Sequence, residues 1–484
     1  MAVVDMNFFS GFIQGIQTSV IPLNLGLILL GSLIGTLVGT LPGIRAIHCV
    51  ALMTPISYAL KLPVESVLIF LLTIYHGCTY GDRFSTILEN VNKRDISSML
   101  TLTCFGSFFG GMVAVVGLIL TMPLLNLLKI GFGPAEYFAL IIFAFSALAI
   151  NSGDNPARTV VSTCLGLMMA TVGIDSTTGV LRFTLGQPKL YDGIEFTTVV
   201  IGLFVVSQVF TLLENPDFRF ARAKITPVPL DWKKPFASRF ILLRSAMSGF
   251  IVGMLPACGT AVASSLSEKI ERRLAHKNLH KGPTKRRLLL ARETANNAVT
   301  GGTMVPLLSL GIPGSGTSAI LLGALLLYDI TPGPNLLKQH DELIWVIIAT
   351  AGIANLVLLF TNLFMARLFI QAHAISRQVL TSCLLALAFI AGYSVHASNF
   401  SLLLIFFLGI FGYLLQKHHY PLVPLLLGFV LGELLENNLR RALSISAGDL
   451  QFLFNSPTSK ILWLLSLVVF MLPLAQRLMR GWHK

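Results

Sequence analysis

Residues 35–43 read Gly35-Thr-Leu-Val-Gly-Thr-Leu-Pro-Gly43 and interrupt a long uncharged, apolar run. The same arrangement returns 214 positions later as Gly249-Phe-Ile-Val-Gly-Met-Leu-Pro-Ala257. Each copy predicts a break in a membrane helix, with Pro42 in the first and Pro256 and Gly259 in the second. Paired interruptions in two halves are typical of secondary transporters built from repeats. Unwound backbone at membrane depth is tolerated where it lines a wet cavity, so the breaks indicate a path for a solute.

The composition is that of a membrane protein. Of the 484 residues, 54% are hydrophobic and 12% are charged, whereas about 25% are charged in a typical soluble protein. At about 20 apolar residues per span, the uncharged runs predict about 10–12 transmembrane helices. We therefore expect an all-α polytopic membrane protein with two inverted repeats and with Gly/Pro-broken or re-entrant segments.

The basic residues are concentrated in two segments of a chain whose net charge is +13. Lys/Arg-rich loops mark the cytoplasmic side of a membrane protein. We expect a first membrane repeat at residues 1–216, a basic cytoplasmic linker at 217–244, and a second membrane repeat at 245–484 that contains the basic loop 268–292.

Three further apolar runs predict irregular helices. Ser245–Ser267 lies between the two basic segments, and a single crossing would place one of them outside, so we expect a re-entrant hairpin that turns near Pro256. Ile96–Leu128 is too long for one ordinary span and contains glycines and Pro123, which predicts a split helix. Thr294–Tyr328 predicts two short helices around the glycine-rich break Gly311–Gly316.

A series of stretches along nearly the whole chain is similar to one known family. The most specific reads Gly301-Gly-Thr-Met-Val-Pro-Leu-Leu-Ser-Leu-Gly-Ile-Pro-Gly-Ser-Gly-Thr317. In their order, the stretches resemble the large membrane subunit of the tripartite tricarboxylate transporters. The others are Gly35–Gly43, Phe132–Leu140, Ala170–Asp175, Arg182–Gly186, Asp192–Phe196, Glu293–Ala298, Leu427–Gly432 and Asn438–Leu443.

This resemblance implies the permease subunit of a secondary transporter in a bacterial inner membrane. Such a subunit takes up a small organic dicarboxylate or tricarboxylate, driven by a Na⁺ or H⁺ gradient. The implied partners are a small four-helix membrane subunit and a periplasmic solute-binding protein. The expectation includes no enzymatic activity, no nucleic-acid partner and no cofactor, with Na⁺ as one candidate for the coupling ion.

The chain departs from the family pattern mainly in its first half. Gly81-Asp82-Arg83 stands where the family usually has Gly-Gly-Ser, and Arg45 stands where it has a small residue. In the second half, Leu-Pro-Gly becomes Leu255-Pro-Ala257. These departures bear on the substrate more than on the fold.

Two glycine-containing segments, Thr79–Thr86 and Gly311–Thr317, form a second matched pair of expected breaks. Glycines let backbone amides approach a ligand, and helix N-termini carry partial positive charge, a combination that suits a carboxylate. The alternative is close helix packing through small residues. The candidate substrate-binding residues are Gly43, Arg45, Gly81, Ser85, Gly311, Pro313, Gly314, Ser315 and Thr317.

Polar residues before the second glycine-rich break are candidates for the coupling ion. They are Asn296, Asn297, Thr300 and Thr303. Side-chain oxygens beside unwound carbonyls coordinate Na⁺ in broken-helix transporters. The alternative is hydrogen bonding between helices. Glu293 begins the same segment, either as a functional acid, as a simple surface acid or as a charge near a helix N-terminus.

Several other ionisable residues leave alternatives open. Arg45 is either an anion clamp or a side chain that reaches the membrane surface, and Arg83 is either a clamp or the partner of Asp82 or Glu89. His48 and His76 are proton-relay candidates, with satisfied packing as the alternative.

Three rival functions accompany the transporter hypothesis. One is a standalone carrier with an altered substrate, and another is an inactive membrane scaffold. A lipid-modifying enzyme would need a clustered acid, base or nucleophile at one interface, and the sequence shows no such cluster.

Overall fold

The computed structural model confirms an all-α polytopic membrane protein. Among the described residues, 8 helices are long and apolar enough to cross a membrane, and four shorter apolar helices accompany them. The structure describes residues 2–91, 95–127, 133–151, 155–175, 177–214, 238–256, 258–277, 285–333, 336–372 and 375–481.

The first half contains long continuous helices between its breaks. The predicted break at Thr79–Thr86 is wrong, because α4 continues through it, and the predicted split of Ile96–Leu128 is wrong, because α5 is one helix. A helix-interior glycine costs only about 1 kcal/mol, so a glycine alone need not interrupt a packed helix. The elements are α1 (Ala2–Ser19), α2 (Pro22–Gly39), α3 (Ala46–Ala59), α4 (Val64–Asn90), α5 (Ile96–Leu127), α6 (Pro134–Asn151), α7 (Pro156–Ala170), the two-stranded antiparallel sheet β1 (Gly173–Ile174) and β2 (Leu181–Arg182), and α8 (Phe196–Glu214).

The second half contains shorter helices around its breaks. As predicted, Thr294–Tyr328 holds short helices on either side of a glycine-rich break. The described part of the expected basic loop 268–292 is helical, at residues 268–277 and 285–292, and its cytoplasmic location stays a prediction. The helices are α9 (Arg239–Gly253), α10 (Thr260–Lys277), α11 (Lys285–Gly302), α12 (Met304–Leu310), α13 (Gly316–Leu326), α14 (Leu336–Gln339), α15 (Asp341–Phe364), α16 (Ala366–Ala372), α17 (Arg377–His396), α18 (Asn399–Lys417), α19 (Leu422–Ile445) and α20 (Pro457–Gly481).

Both copies of the repeated glycine motif pack one helix closely on another. In the first copy, a Cβ on Gly35 would lie 2.5 Å from the carbonyl oxygen of Ile74, where α2 meets α4. In the second copy, a Cβ on Gly249 would lie 2.5 Å from the carbonyl oxygen of Ala295, where α9 meets α11. Small residues let membrane helices approach this closely. The two copies therefore have the same structural role in their two halves.

The two halves of the chain are packed into each other. Helix α11 of the second half lies against α5 of the first, and α19 of the second half lies against α6 and α7 of the first. Helix α3 of the first half packs against α13 and α17 of the second. Most of the predicted linker 217–244 lies outside the described residues, and both the domain division and the inverted orientation of the repeats stay predictions.

Candidate functional site

A cavity of about 660 Å³ lies between the two halves of the chain. The first half contributes residues of the break before α3 and one face of α4. The second half contributes the starts of α10, α13 and α19 and one face of α11. Because each half supplies part of the wall, relative movement of these elements would change access to the cavity.

The first break brings a charged residue to the cavity. Helix α2 ends at Gly39 and α3 begins at Ala46, with Pro42 between them. The freed carbonyl oxygen of Gly43 accepts a hydrogen bond of 2.8 Å from Gln208 Nε2 of α8. Such partners are what unwound backbone needs at membrane depth. Arg45 ends the break and lines the cavity.

The second break turns the chain back on itself. Helix α9 ends at Gly253 and α10 begins at Thr260, after Pro256 and Gly259. Arg244, near the start of α9, forms an ion pair with Glu271 of α10. Glu271 also pairs with Arg287 of α11, at 2.7 Å. Residues 245–267 therefore form the predicted hairpin, whose two ends lie on the same side of the molecule.

The third break presents a capped helix N-terminus to the cavity. Helix α12 ends at Leu310, and Gly311 adopts a φ of +70°, the left-handed conformation that commonly ends helices. The Ser315 N–H donates to the Ser318 hydroxyl at 2.8 Å, and the Ser318 N–H donates to the Ser315 hydroxyl at 3.2 Å. This reciprocal cap fixes the start of α13 at Gly316.

Four helices begin at this cavity, but the start of α19 contains Pro421 and Pro424, which have no N–H, so three N-termini are suited to donating to a ligand. Residues 45–47 at the start of α3, 259–261 at the start of α10 and 315–317 at the start of α13 all line it. Helix N-termini hold unpaired N–H groups and a partial positive charge, which bind anions. Their convergence from both halves makes the cavity a candidate anion site.

Charged side chains strengthen that character. Arg45 and Arg292 line the cavity together with the acids Asp82 and Glu268. Glu268 forms a 2.7 Å ion pair with Arg272 one turn along α10, which compensates its charge. The net charge of the cavity wall is therefore positive, because Arg45, Arg292 and the helix N-termini carry more positive charge than Asp82 carries negative charge.

Arginine is suited to this position because its planar guanidinium binds a carboxylate through two parallel hydrogen bonds.

The structure brings some of the predicted substrate-binding residues together and leaves others apart. Arg45, Ser315 and Thr317 line the cavity. Gly81 instead packs against α2, because a Cβ there would collide with the carbonyl oxygen of Thr36. Ser85 donates a 3.4 Å hydrogen bond to Glu89 on its own helix. Outside the cavity wall also lie Gly43, Gly311, Pro313 and Gly314.

The predicted coupling-ion residues are also divided. Asn296 lines the cavity. The Asn297 amide donates a 2.8 Å hydrogen bond to the Ser107 hydroxyl of α5. The hydroxyls of Thr300 and Thr303 donate to carbonyl oxygens three residues earlier on the chain. In this conformation, Asn297 links α11 to α5, whereas the Thr300 and Thr303 hydroxyls bond within their own segment, and no cluster of His, Cys, Asp or Glu in the described chain could hold a metal ion.

Two buried charges lie beside the cavity wall. Arg83 is 1% exposed, and its Nη2 donates a 3.0 Å hydrogen bond to Asn362 of α15, so the predicted surface ion pair with Asp82 or Glu89 is wrong. Glu293 of α11 is 2% exposed, so its placement as a surface acid is also wrong.

His48 accepts a 2.9 Å hydrogen bond from the Arg45 N–H, and His76 bonds to the Leu72 carbonyl, which are satisfied packing roles.

Comparison with known proteins identifies the family. The model of the tripartite tricarboxylate transporter TctA family matches residues 25–427. The chain belongs to this family. It is 34% identical over 491 residues, 97% of each chain, to an uncharacterized 52.8 kDa protein in the TAR-I ttuC' 3'region of Agrobacterium vitis. It is 37% identical over 226 residues to an uncharacterized protein in the TAR-II ttuC' 3'region of that organism, which covers 47% of this chain and 93% of that protein. No solved structure matches the chain.

Family membership makes the chain a multi-pass component of a tricarboxylate transporter. Two of its departures from the family pattern, Arg45 and Asp82, are charged residues of the cavity wall. Sequence reasoning missed Arg292, because it belongs to a run read as a basic loop. Its spacing from Asn296 was the available signal, since residues four apart share one face of a helix.

Proposed function

We propose that this TctA-family chain is the permease subunit of a secondary transporter for a small organic dicarboxylate or tricarboxylate. The observation that carries the proposal is the convergence of three helix N-termini with Arg45 and Arg292 on one cavity of about 660 Å³. This volume lies within the range of small-molecule sites, about 300–1,000 Å³. The helix N-termini and arginines supply positive charge, while Asn296 and Thr317 supply polar contacts.

The transporter works in a bacterial inner membrane with partner subunits. A periplasmic solute-binding protein delivers the anion, and a small membrane subunit completes the complex. An inward gradient of Na⁺ or H⁺ drives accumulation. Support for these partners comes from the family, whose description is of tripartite transporters.

Uptake into proteoliposomes tests this function. The purified chain is reconstituted with its small subunit, and accumulation of labelled mono-, di- and tricarboxylates is measured with an imposed Na⁺ or H⁺ gradient, with and without the binding protein. We expect gradient-dependent accumulation of a di- or tricarboxylate that requires the binding protein. Equal uptake without that protein would identify a standalone carrier, and no uptake of any anion in the panel would overturn the proposal.

A further inference from the structure

Glu293 is a buried carboxyl with an unsatisfied oxygen. It lies on α11, and its Oε2 has no hydrogen-bond partner among the described residues. Burying an ionised carboxyl is costly unless the charge is compensated and its oxygens are hydrogen-bonded. A neutral acid avoids most of that cost. The Glu293 side chain therefore occupies a place where gain or loss of a proton changes the local free energy strongly.

The charged groups around Glu293 come from two helices. Asp82 and Arg83 of α4 and Arg292 of α11 itself act on it electrostatically. Helix α5 contributes no charged residue to this packing. Near α11, Arg244 of α9 pairs with Glu271 of α10, which also pairs with Arg287 of α11, and Glu268 of α10 lines the cavity beside Arg292. The charge of Glu293 is thus balanced by few groups.

Arg83 is the second incompletely satisfied charge at this place. Its Nε and Nη1 have no hydrogen-bond partner among the described residues, and only Nη2 is used, by Asn362. An ionised Glu293 is stabilised by Arg83, whereas an added metal cation would be repelled by both Arg83 and Arg292. A proton needs only one carboxylate oxygen, whereas a metal ion needs several ligands, and no group of three or more His, Cys, Asp or Glu residues in the described chain could hold one.

We propose that the Glu293 carboxyl binds the proton that is transported together with the anion. The proposal rests on the function proposed above and names its coupling ion. A proton enters from the anion cavity, where Asp82 lines the wall and acts electrostatically on Glu293. It is bound on the Glu293 carboxylate in the loaded state and is released from the same oxygen on the cytoplasmic side.

The cavity charges supply the coupling. Arg292 lines the anion cavity and also acts on both Glu293 and Asp82. An anion bound to Arg45 and Arg292 partly neutralises the positive charge that stabilises the ionised carboxylates of Glu293 and Asp82. Anion binding therefore favours protonation of these acids. By thermodynamic reciprocity, protonation favours anion binding by the same factor, typically about 5-fold to 150-fold.

Infrared titration tests the proton site without transport. The full chain in liposomes is titrated with pH, and the carbonyl stretch of protonated carboxyls is recorded with and without citrate as the probe anion. We expect a buried-carboxyl band that titrates in the parent, is lost in Glu293→Gln, and moves to higher pH when citrate is added. The matched control is Glu268→Gln, which removes another acid of the cavity region and should keep the band.

Two results would overturn the proposal. One is an unchanged titrating band in Glu293→Gln, and the other is a band that responds to Na⁺ but not to pH. If Glu293→Gln does not fold, Glu293→Asp keeps the carboxyl, and its band should titrate at a different pH from that of the parent. An Asp variant with the parent's titration would count against the site equally.

Transport separates this inference from the proposed function. In proteoliposomes, Glu293→Gln should exchange internal for external citrate but lose accumulation driven by a pH gradient, because exchange needs no net proton movement. If the parent protein transports no anion while its Glu293 band still titrates, the proposed transport function is wrong and only the titratable site remains. If the parent transports the anion and Glu293→Gln keeps its pH-driven accumulation, the proposed transport function stands and only the coupling role of Glu293 is wrong.

Discussion

At the scale of single residues, sequence reasoning found unusual charges and misjudged their surroundings. Arg45 stood out because a cation beside a proline break is rare in a membrane chain, and it lines the cavity. Arg83 stood out for the same reason, yet its partner is Asn362, which is 279 positions away. A sequence without tertiary contacts favours neighbours such as Asp82, and therefore cannot supply that partner.

Arg45 is the residue for which the clearest transport effect is expected. A hydrogen bond to a charged group contributes about 1.5–3 kcal/mol, so Arg45→Gln should raise the KM for an anionic substrate by about tenfold or more. Arg45→Lys should keep only part of the parent's affinity for the anion, because an ammonium lacks the planar fork of a guanidinium. Arg45→Gly should change the preference among anions. Uptake across mono-, di- and tricarboxylates measures all three. The exposed Arg367, changed to Gln, is the control, and identical profiles in every variant would exclude a substrate contact.

Asp175, in the loop before α8, should control acid stability. The Thr177 N–H, at 2.9 Å from Asp175 Oδ1, and the Arg440 guanidinium lower its pKa to about 2. The unfolded pKa is about 3.9. The stabilisation is therefore complete above about pH 4 and is lost as the pH falls through the folded value. Asp175→Asn should lower the Tm near pH 7 and flatten its acid dependence, measured on detergent-purified protein.

The exposed Asp192 of the same loop gives the matched control. Asp192→Asn should keep the parent's Tm and its acid dependence. Equal acid profiles for the parent and Asp175→Asn would show that this ion pair does not contribute.

At the scale of elements, proline marked two of the breaks but did not break every helix, since α3 continues through Pro55 and α5 through Pro123. Pro42 and Pro256 each lie in a break, because proline lacks an N–H and disfavours a helical predecessor. Gly81 did not produce a break. Because Gly81 has no side chain, the backbone of α2 packs directly against it. The local sequence does not reveal this neighbour. Glycine therefore signals either a break or a contact, and the sequence alone could not separate the two.

Helix packing through Gly35 should be measurable against a matched glycine of the same helix. A Cβ on Gly35 would lie 2.5 Å from the Ile74 carbonyl oxygen, whereas a Cβ on Gly26 meets nothing within 4 Å. Gly35→Ala should lower the Tm in detergent because α2 and α4 must separate. Gly26→Ala should leave it unchanged or raise it slightly, since alanine favours a helix by about 1 kcal/mol. Similar losses in both variants would contradict this account of α2.

The α9–α10 hairpin predicts one-sided access to its two ends. The Arg244–Glu271 ion pair places the start of α9 beside the later turns of α10. Cysteines introduced at Arg239 and at Lys277, in a background without reactive cysteines, should both react with an impermeant thiol reagent from the cytoplasmic side. In sealed right-side-out vesicles, both should stay unlabelled. Labelling of one position alone from outside would mean that residues 245–267 cross the membrane.

At the scale of the whole molecule, the sequence repeat does not mark a packing boundary. The matched breaks divide the chain into halves, yet α11 packs on α5 and α19 packs on α7 across that division. Simple rocking of residues 1–216 against 245–484 would disrupt these interfaces. Movement confined to the elements at the cavity would leave them intact. The repeat was visible from residue spacing, whereas the interlocking depends on contacts between residues such as Ser107 and Asn297, 190 positions apart.

This interlocking predicts that a chain cut between its halves reassembles. When the chain is interrupted within the linker that follows Glu214 and the two fragments are co-expressed, they should co-purify and support uptake, because the interfaces between the halves need no covalent link. The first fragment alone should be unstable, since the glycine-lined face of α5 and the buried Ser107 hydroxyl would lose α11. A control chain cut inside α15, which packs on α1, α4 and α5, should fail to assemble because the helix itself is broken. Separate purification of two stable, non-associating fragments would show that the halves are independent bodies after all.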